Sequence, residues 1–98
     1  MTAYIIAIRH RITDQAEMDI YKSLAPAAAA KAQGKRNLAG YGACETLEGP
    51  PVEGVVLIEF PDMAAAKAWY DSPEYQKAKS HRLKGGDYQF ILFDGLKS

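Results

Sequence analysis

The carboxylate of Glu59 is the first candidate for chemistry, because it interrupts the otherwise apolar run of residues 55–60. Burial among apolar side chains disfavours an ionised carboxylate, so Glu59 is a candidate general base or substrate anchor. The structural alternative is a glutamate bonded to backbone amides or to a tyrosine hydroxyl near a strand end, and the sequence favours it. Antiparallel pairing would place Glu59 opposite Tyr4 and away from Arg9.

His81 and Arg82 form a second candidate pair near the end of a predicted helix. Positive charges there complement the helix dipole, and this structural account is favoured. In the functional alternative, Arg82 binds a substrate carboxylate at the mouth of a cavity. His81 would then act as an acid or base.

Aromatic side chains are the candidates for substrate binding, because each offers a large apolar surface, and tyrosine and tryptophan add a polar tip. The candidates are Tyr4, Tyr41, Trp69, Tyr70 and Tyr75. A place in the core or in a cavity wall is favoured over direct ligand binding for the last three.

The segment that carries most of these residues reads as a strand followed by a jointed helix. Residues 55–60 form the strand, which Pro61 ends because proline has no N–H to donate. Asp62 is the expected N-cap of one helix. Ser72 caps a second helix over residues 73–83, whose first residue is proline.

The N-terminal half supplies a strand over residues 3–12 and then a helix that begins at Asp14. Glu17 completes a capping-box pattern there. Pro26 predicts a kink or restart of this helix, and Gly34 predicts its end.

Two further strands complete the set. Residues 37–47 form the second strand, in which Gly40 and Gly42 predict a bulge or a close backbone approach. Residues 88–93 form the last strand.

The order strand, helix, strand, strand, helix, strand predicts a ferredoxin-like α+β sandwich with a four-stranded antiparallel sheet, in a single domain of residues 1–98. Right-handed crossovers place the first and third strands in the centre. The helices cover one face of the sheet, yet three strands are apolar on both faces. The sequence therefore predicts a homodimer in which a partner's sheet covers the second face.

Charge and cysteine content limit the partners. Twelve basic and twelve acidic residues cancel, so no overall field attracts nucleic acid or a membrane surface. The single Cys44 fits a reducing compartment, and no targeting segment is evident, so a cytoplasmic protein is expected. One cysteine and two distant histidines predict no metal site.

The motif of residues 59–76, with EFPD followed by WY and SPEYQ, resembles domain-of-unknown-function family 1330, a bacterial family. The segments AYII, LAP and LEG are similar too, so the resemblance spans nearly the whole chain. It implies a dimeric α+β barrel around a cavity, and it implies no particular reaction. Tyr41 departs from the glycine-rich second strand of the family and is expected to reshape the cavity or its rim.

Some dimeric α+β barrels bind haem through a histidine in a stretch that also contains Trp, Ser and an aromatic residue. Counted from Trp69, this chain has Lys79 at that position, so no haem and no other cofactor is expected.

Two hypotheses for function remain, and both rest on analogy of fold. The first is a cofactor-independent isomerase or oxygenase acting on an aromatic or lactone-like metabolite. Glu59, a tyrosine hydroxyl and Arg82 or His81 would transfer protons there. The second is a non-catalytic dimer that binds a small ligand or stabilises a partner.

Overall fold

The computed structural model describes residues 2–96, which form four strands and three helices. In chain order these are β1 (Ala3–Ile12), α1 (Gln15–Lys31), β2 (Arg36–Gly40), β3 (Gly54–Phe60), α2 (Met63–Asp71), α3 (Pro73–Gly85) and β4 (Gly86–Asp94). The predicted order of elements and the joint between α2 and α3 are confirmed.

The strands form one antiparallel sheet in the order β2-β3-β1-β4. The two central strands are the first and third, as the crossover rule predicts. Tyr4 lies directly opposite Glu59 in the pairing of β1 with β3, so the expected register is confirmed.

Each helix begins at a side-chain cap that the sequence identifies. Asp14 accepts from the amides of Ala16 and Glu17 at 3.1 and 3.3 Å. The Asp62 carboxylate accepts from the amide of Ala65 at 2.7 Å. Caps of this kind each stabilise a helix by about 1 kcal/mol.

Ser72 caps α3 by accepting from the Tyr75 amide at 3.2 Å, and its own hydroxyl donates to the Trp69 carbonyl at 2.7 Å. One side chain therefore satisfies the end of α2 and the start of α3. This double use fixes the joint between the two helices.

The capping-box prediction at the start of α1 is wrong for Glu17. Its carboxylate contacts His81 on α3, while the Asp14 amide donates to the carbonyl of Gly85 at 3.0 Å. Tertiary partners have replaced the local contact, because α1 lies along α3.

Pro26 does not restart α1, which continues through it and ends at Lys31 with Ala32 as its C-cap. Packing against α3 holds the helix together across the missing hydrogen bond. Gly34 lies beyond the helix with φ of 69°, and a Cβ there would meet the ring of Pro61 at 2.4 Å.

The second strand is shorter than predicted, because it ends at Gly40 and residues 41–53 form no strand. Tyr41 has φ of 57°, a left-handed conformation that turns the chain away from the sheet. The irregularity in pairing falls between Asn37 and Ala39, and an added Cβ at Gly40 or Gly42 would meet nothing within 4 Å. A close approach occurs at Gly54 instead, where an added Cβ would lie 2.8 Å from the side chain of Tyr41.

The helices cover one face of the sheet, and the core lies between them and that face. Its fully buried large side chains are Phe60 and Tyr75. Smaller residues complete it: Ala3, Ile5, Ala7, Ile58, Ala66 and Ala78.

We call the other side of the sheet the open face, because no helix of the described chain covers it. By strand alternation it carries mainly apolar side chains: Tyr4, Ile6, Ile8, Val55, Leu57, Ile91 and Phe93. Ile91 and Phe93 keep 41% and 40% of their surface exposed. The prediction of an uncovered apolar sheet face is confirmed.

Candidate functional site

A cavity of about 370 Å³ lies within the chain, between α1 and the helix-covered face of the sheet. It is therefore on the opposite side of the sheet from the position that the sequence suggested. The small side chains of Ala25, Pro26 and Ala29 on α1 leave this space open. Its other walls are Ala7, Tyr21, Lys22, Lys35, Asn37, Ala39, Gly40, Tyr41, Val56, Ile58, Trp69, Tyr75 and Phe90. The volume is within the range of small-molecule sites.

Two tyrosine hydroxyls meet in the cavity wall. The Tyr21 oxygen on α1 lies 3.0 Å from the Tyr75 oxygen on α3, and the two rings are nearly perpendicular. Burial raises the pKa of both hydroxyls, so both are neutral at physiological pH and can donate hydrogen bonds. The pair is one of the polar parts of the wall, which also includes Lys22, Lys35 and Asn37.

Arg82 lies behind this wall and does not line the cavity. The residue is only 4% exposed, and its guanidinium carbon lies 4.0 Å from the centre of the Phe90 ring. It forms no ion pair with a carboxylate in residues 2–96, and its Nε has no hydrogen-bond partner there. Its positive charge opposes the effect of burial on the pKa of Tyr75. The functional alternative for Arg82 placed it at the cavity mouth, whereas the side chain is buried within the core.

His81 is also outside the cavity. Its Nδ1 lies 2.6 Å from the Glu17 carboxylate, and the contact joins α3 to α1. About a quarter of each side chain is exposed. The position of His81 makes it a link between two helices.

Glu59 lies on the open face, where its carboxylate is 3.4 Å from Nη1 of Arg36 on β2. Its partner is thus an arginine, and neither a backbone amide nor a tyrosine hydroxyl. Its cross-strand neighbour Tyr4 stacks on Phe93 with ring centres 5.6 Å apart. Glu59 and Tyr4 are separated from the cavity by the sheet itself.

Trp69 and Tyr75 form the aromatic base of the cavity. Their ring centres are 4.2 Å apart, and Phe60 packs against the far side of Trp69 at 5.6 Å. The indole Nε1 is buried without a hydrogen-bond partner in the described chain. Tyr70 packs against Phe90 and borders a smaller depression, so it is not part of the main cavity.

Tyr41 lines the cavity, and its side chain lies across the sheet at one end of the cavity. Its ring contacts the Gly54 position on β3 and carries the guanidinium of Arg9 on β1 at 4.3 Å. Its hydroxyl reaches the hydroxyl of Tyr88 on β4 at 2.8 Å. Burial raises the pKa of Tyr41. Tyr41, where the chain differs from the glycine-rich strand expected for the family, thus forms part of the cavity wall.

Four polar residues of the cavity wall were not identified as site candidates from the sequence. They are Tyr21, Lys22, Lys35 and Asn37. The helical periodicity places Tyr21 on the buried face of α1, which could have suggested it. Lys35 and Asn37 follow Gly34 at the start of an irregular strand, and no local pattern distinguishes them from surface residues.

An antiparallel sheet in the order β2-β3-β1-β4, with helices on one face, defines a ferredoxin-like α+β protein. The chain belongs to the family described as Domain of unknown function (DUF1330), whose model matches residues 2–96. The resemblance inferred from the motifs is therefore confirmed.

Solved structures share this fold at low sequence identity. A protein of unknown function from Rhodopseudomonas palustris is 19% identical with a TM-score of 0.75, over 99% of this chain and 84% of that one. A dimeric ferredoxin-like protein of unknown function from Jannaschia is 15% identical with a TM-score of 0.73, over 97% and 100%. SnoaB, a cofactor-independent oxygenase from Streptomyces nogalater, is 12% identical with a TM-score of 0.59, over 99% and 94%. At these identities the likeness establishes the fold alone.

No curated protein matches the chain. In residues 2–96, no helix has the length and hydrophobicity needed to cross a membrane. Within the same residues, no three histidine, cysteine or acidic side chains are grouped so that they could hold a metal ion.

Proposed function

We propose that this protein is a homodimer in which each subunit binds a small aromatic or lactone-like molecule in the cavity beneath α1. The observation that carries the proposal is the Tyr21–Tyr75 hydroxyl pair in the wall of a cavity of about 370 Å³. The apolar walls would hold a planar ring, while the hydroxyl of the pair whose proton is free would donate to a ligand oxygen atom.

The open face supports the dimer. Its contiguous apolar side chains include Leu57, Ile91 and Phe93, and a second sheet packed on it would remove them from water. Structural neighbours of similar size from Jannaschia and Bacteroides fragilis are described as dimeric. The Arg36–Glu59 ion pair would lie within or beside this interface.

Cofactor-independent isomerase or oxygenase activity is the second candidate. The hydroxyl proton of the Tyr21–Tyr75 pair that is not used within the pair could stabilise an oxyanion that develops on a ring substrate, since a preorganised donor acts strongly in a site that excludes water. The likeness in fold to SnoaB is compatible with such chemistry. Binding without catalysis is the better supported function, because neither Glu59 nor His81 borders the cavity.

Calorimetric titration with a panel of phenols, hydroxylated naphthalenes and aromatic lactones tests the proposal. Trp69 is the only tryptophan and lines the cavity, so quenching of its fluorescence gives a second readout of binding. We expect Tyr21→Phe to weaken binding of a phenolic ligand about fivefold to tenfold, because one net hydrogen bond contributes roughly 1 kcal/mol.

The matched control is Tyr4→Phe, which removes a hydroxyl from the open face and should leave affinity unchanged. If neither this panel nor the aromatic acids and amides described below bind, or if both variants weaken binding equally, the assignment of the cavity is wrong.

A further inference from the structure

We infer that the natural ligand of this cavity is an organic anion, an aromatic carboxylate, and that Lys35 binds its carboxylate group. The inference rests on the proposed function, because it specifies the ligand class for the same cavity.

The charged groups of the cavity all have one sign. Lys22 and Lys35 are part of its wall, and in the described chain no aspartate or glutamate lines it. The chain as a whole is neutral, with twelve basic and twelve acidic residues, so this local excess is not a reflection of composition. A cavity lined by one sign of charge favours ligands of the other sign.

Lys35 is positioned by two other cavity residues. Its Nζ donates to Oδ1 of Asn37 at 2.9 Å and lies 5.6 Å from the centre of the Trp69 ring. The ammonium is therefore held beside the aromatic base, where a ligand ring would stack. It forms no ion pair with a carboxylate in residues 2–96.

This position leaves the ammonium group in need of a partner. Burial lowers the pKa of Lys35, because part of its hydration is lost without compensation by a negative charge. A bound carboxylate would provide that compensation at a distance of one hydrogen bond.

The uncharged polar groups of the cavity include hydroxyls that can donate a hydrogen bond. Burial keeps the hydroxyls of Tyr21, Tyr41 and Tyr75 protonated, and the carbonyl of the Asn37 side chain already accepts from Lys35. A carboxylate accepts hydrogen bonds through both oxygens, so it matches this set better than a neutral lactone or amide does.

The test compares acids with their neutral amides by calorimetry at pH 7. The pairs are benzoate with benzamide and 2-naphthoate with 2-naphthamide, which differ in charge far more than in shape. For the unaltered protein we expect the acid to bind at least tenfold more tightly than the amide. The preference should decrease as ionic strength rises.

Lys35→Met keeps much of the side-chain volume and removes the charge, so we expect it to abolish the preference for acids while amide affinity changes little. Lys35→Arg should retain part of the preference. The matched control is Lys67→Met on the exposed side of α2, which should leave the preference intact. Circular dichroism spectra establish that each variant is folded.

Equal binding of acid and amide by the unaltered protein would overturn the inference while leaving the proposed binding function in place. A preference that survives in Lys35→Met would overturn the role of Lys35. An equal loss of acid and amide binding in that variant would also overturn it, since such a loss indicates a structural role. Absence of binding by every probe would overturn the inference and the proposed function together.

Discussion

The hydroxyl oxygens of Tyr41 and Tyr88 lie 2.8 Å apart, although two other strands separate the residues in the sheet. Tyr41 follows β2 at one edge, and Tyr88 belongs to β4 at the other. The ring of Tyr41 lies against Gly54 and Arg9, which are themselves cross-strand partners. The two tyrosine side chains together thus bridge the sheet, and Tyr41 forms part of the cavity wall.

The position of the Tyr41 ring across the sheet depends on Gly54. A Cβ at that position would lie 2.8 Å from Cδ1 of Tyr41, so Gly54→Ala must displace the ring or the strand. We expect a loss of about 1–3 kcal/mol in the free energy of unfolding, together with weaker ligand binding. Urea denaturation and calorimetry measure the two effects.

Gly42→Ala is the matched control, because an added Cβ there meets nothing within 4 Å. It should leave both quantities nearly unchanged. Equal behaviour of the two alanine variants would mean that Tyr41 does not rest against β3.

The Tyr21–Tyr75 hydrogen bond should be visible as an energetic coupling. Each single change to phenylalanine leaves one buried hydroxyl without its partner, at a cost of about 1–2 kcal/mol. The double change removes both polar groups, so it should cost less than the sum of the single changes. Urea denaturation of the four proteins in this double-mutant cycle provides the measurement. Additive costs would show that the hydroxyls do not interact.

Tyrosine ionisation should be linked to alkaline unfolding. Burial raises the pKa of Tyr21, Tyr41 and Tyr75 above the value in the unfolded chain, which is about 10. Their contribution to stability is complete below pH 10 and declines as the pH rises above it, because only the unfolded chain then releases these protons.

Absorbance at 295 nm and circular dichroism, followed against pH, should therefore show at least three tyrosines that ionise only as the fold is lost. Tyr21→Phe should reduce their number by one. Complete ionisation of all six tyrosines in a folded protein would contradict the burial of these hydroxyls.

The open face should control the oligomeric state. Ile91→Glu places a charge on this face, where a partner sheet would desolvate it without compensation. We expect sedimentation at low micromolar protein to show a dimer for the unaltered chain and a monomer for this variant.

Leu83→Glu makes the same chemical change on α3, at a side chain that is 63% exposed. This variant should remain dimeric. A well-folded monomer of the unaltered protein at the same concentration would exclude the proposed dimer.

The strands and helix caps could be predicted because their signals are local. Asp62 and Ser72 each stand immediately before a helix, and the alternation of residues 55–60 fixes the two faces of β3. The length of β2 could not be predicted in the same way. Tyr41 adopts a left-handed conformation that is unusual for a residue with a side chain, and contacts from three other strands hold it there.

The cavity was harder to predict than the fold, because its walls come from every strand and helix of the described chain. Tyr41, Trp69 and Tyr75 were identified as aromatic candidates and do line it. Glu59 was a candidate because of its chemical contrast with its neighbours, although the structural account was favoured, and alternation along β3 points it to the open face. That parity was readable from the sequence, whereas the space beneath α1 arises only when the small residues of that helix lie over the sheet.

All walls of the cavity belong to a single polypeptide, and this has a consequence for how the dimer would behave. Saturation should occur at one ligand per chain, with identical and independent sites and a Hill coefficient near one. Diluting the protein until its subunits separate should not release the ligand, as long as each separated chain stays folded. Ligand occupancy and dimer formation could then be altered separately by substitutions in different parts of the same chain.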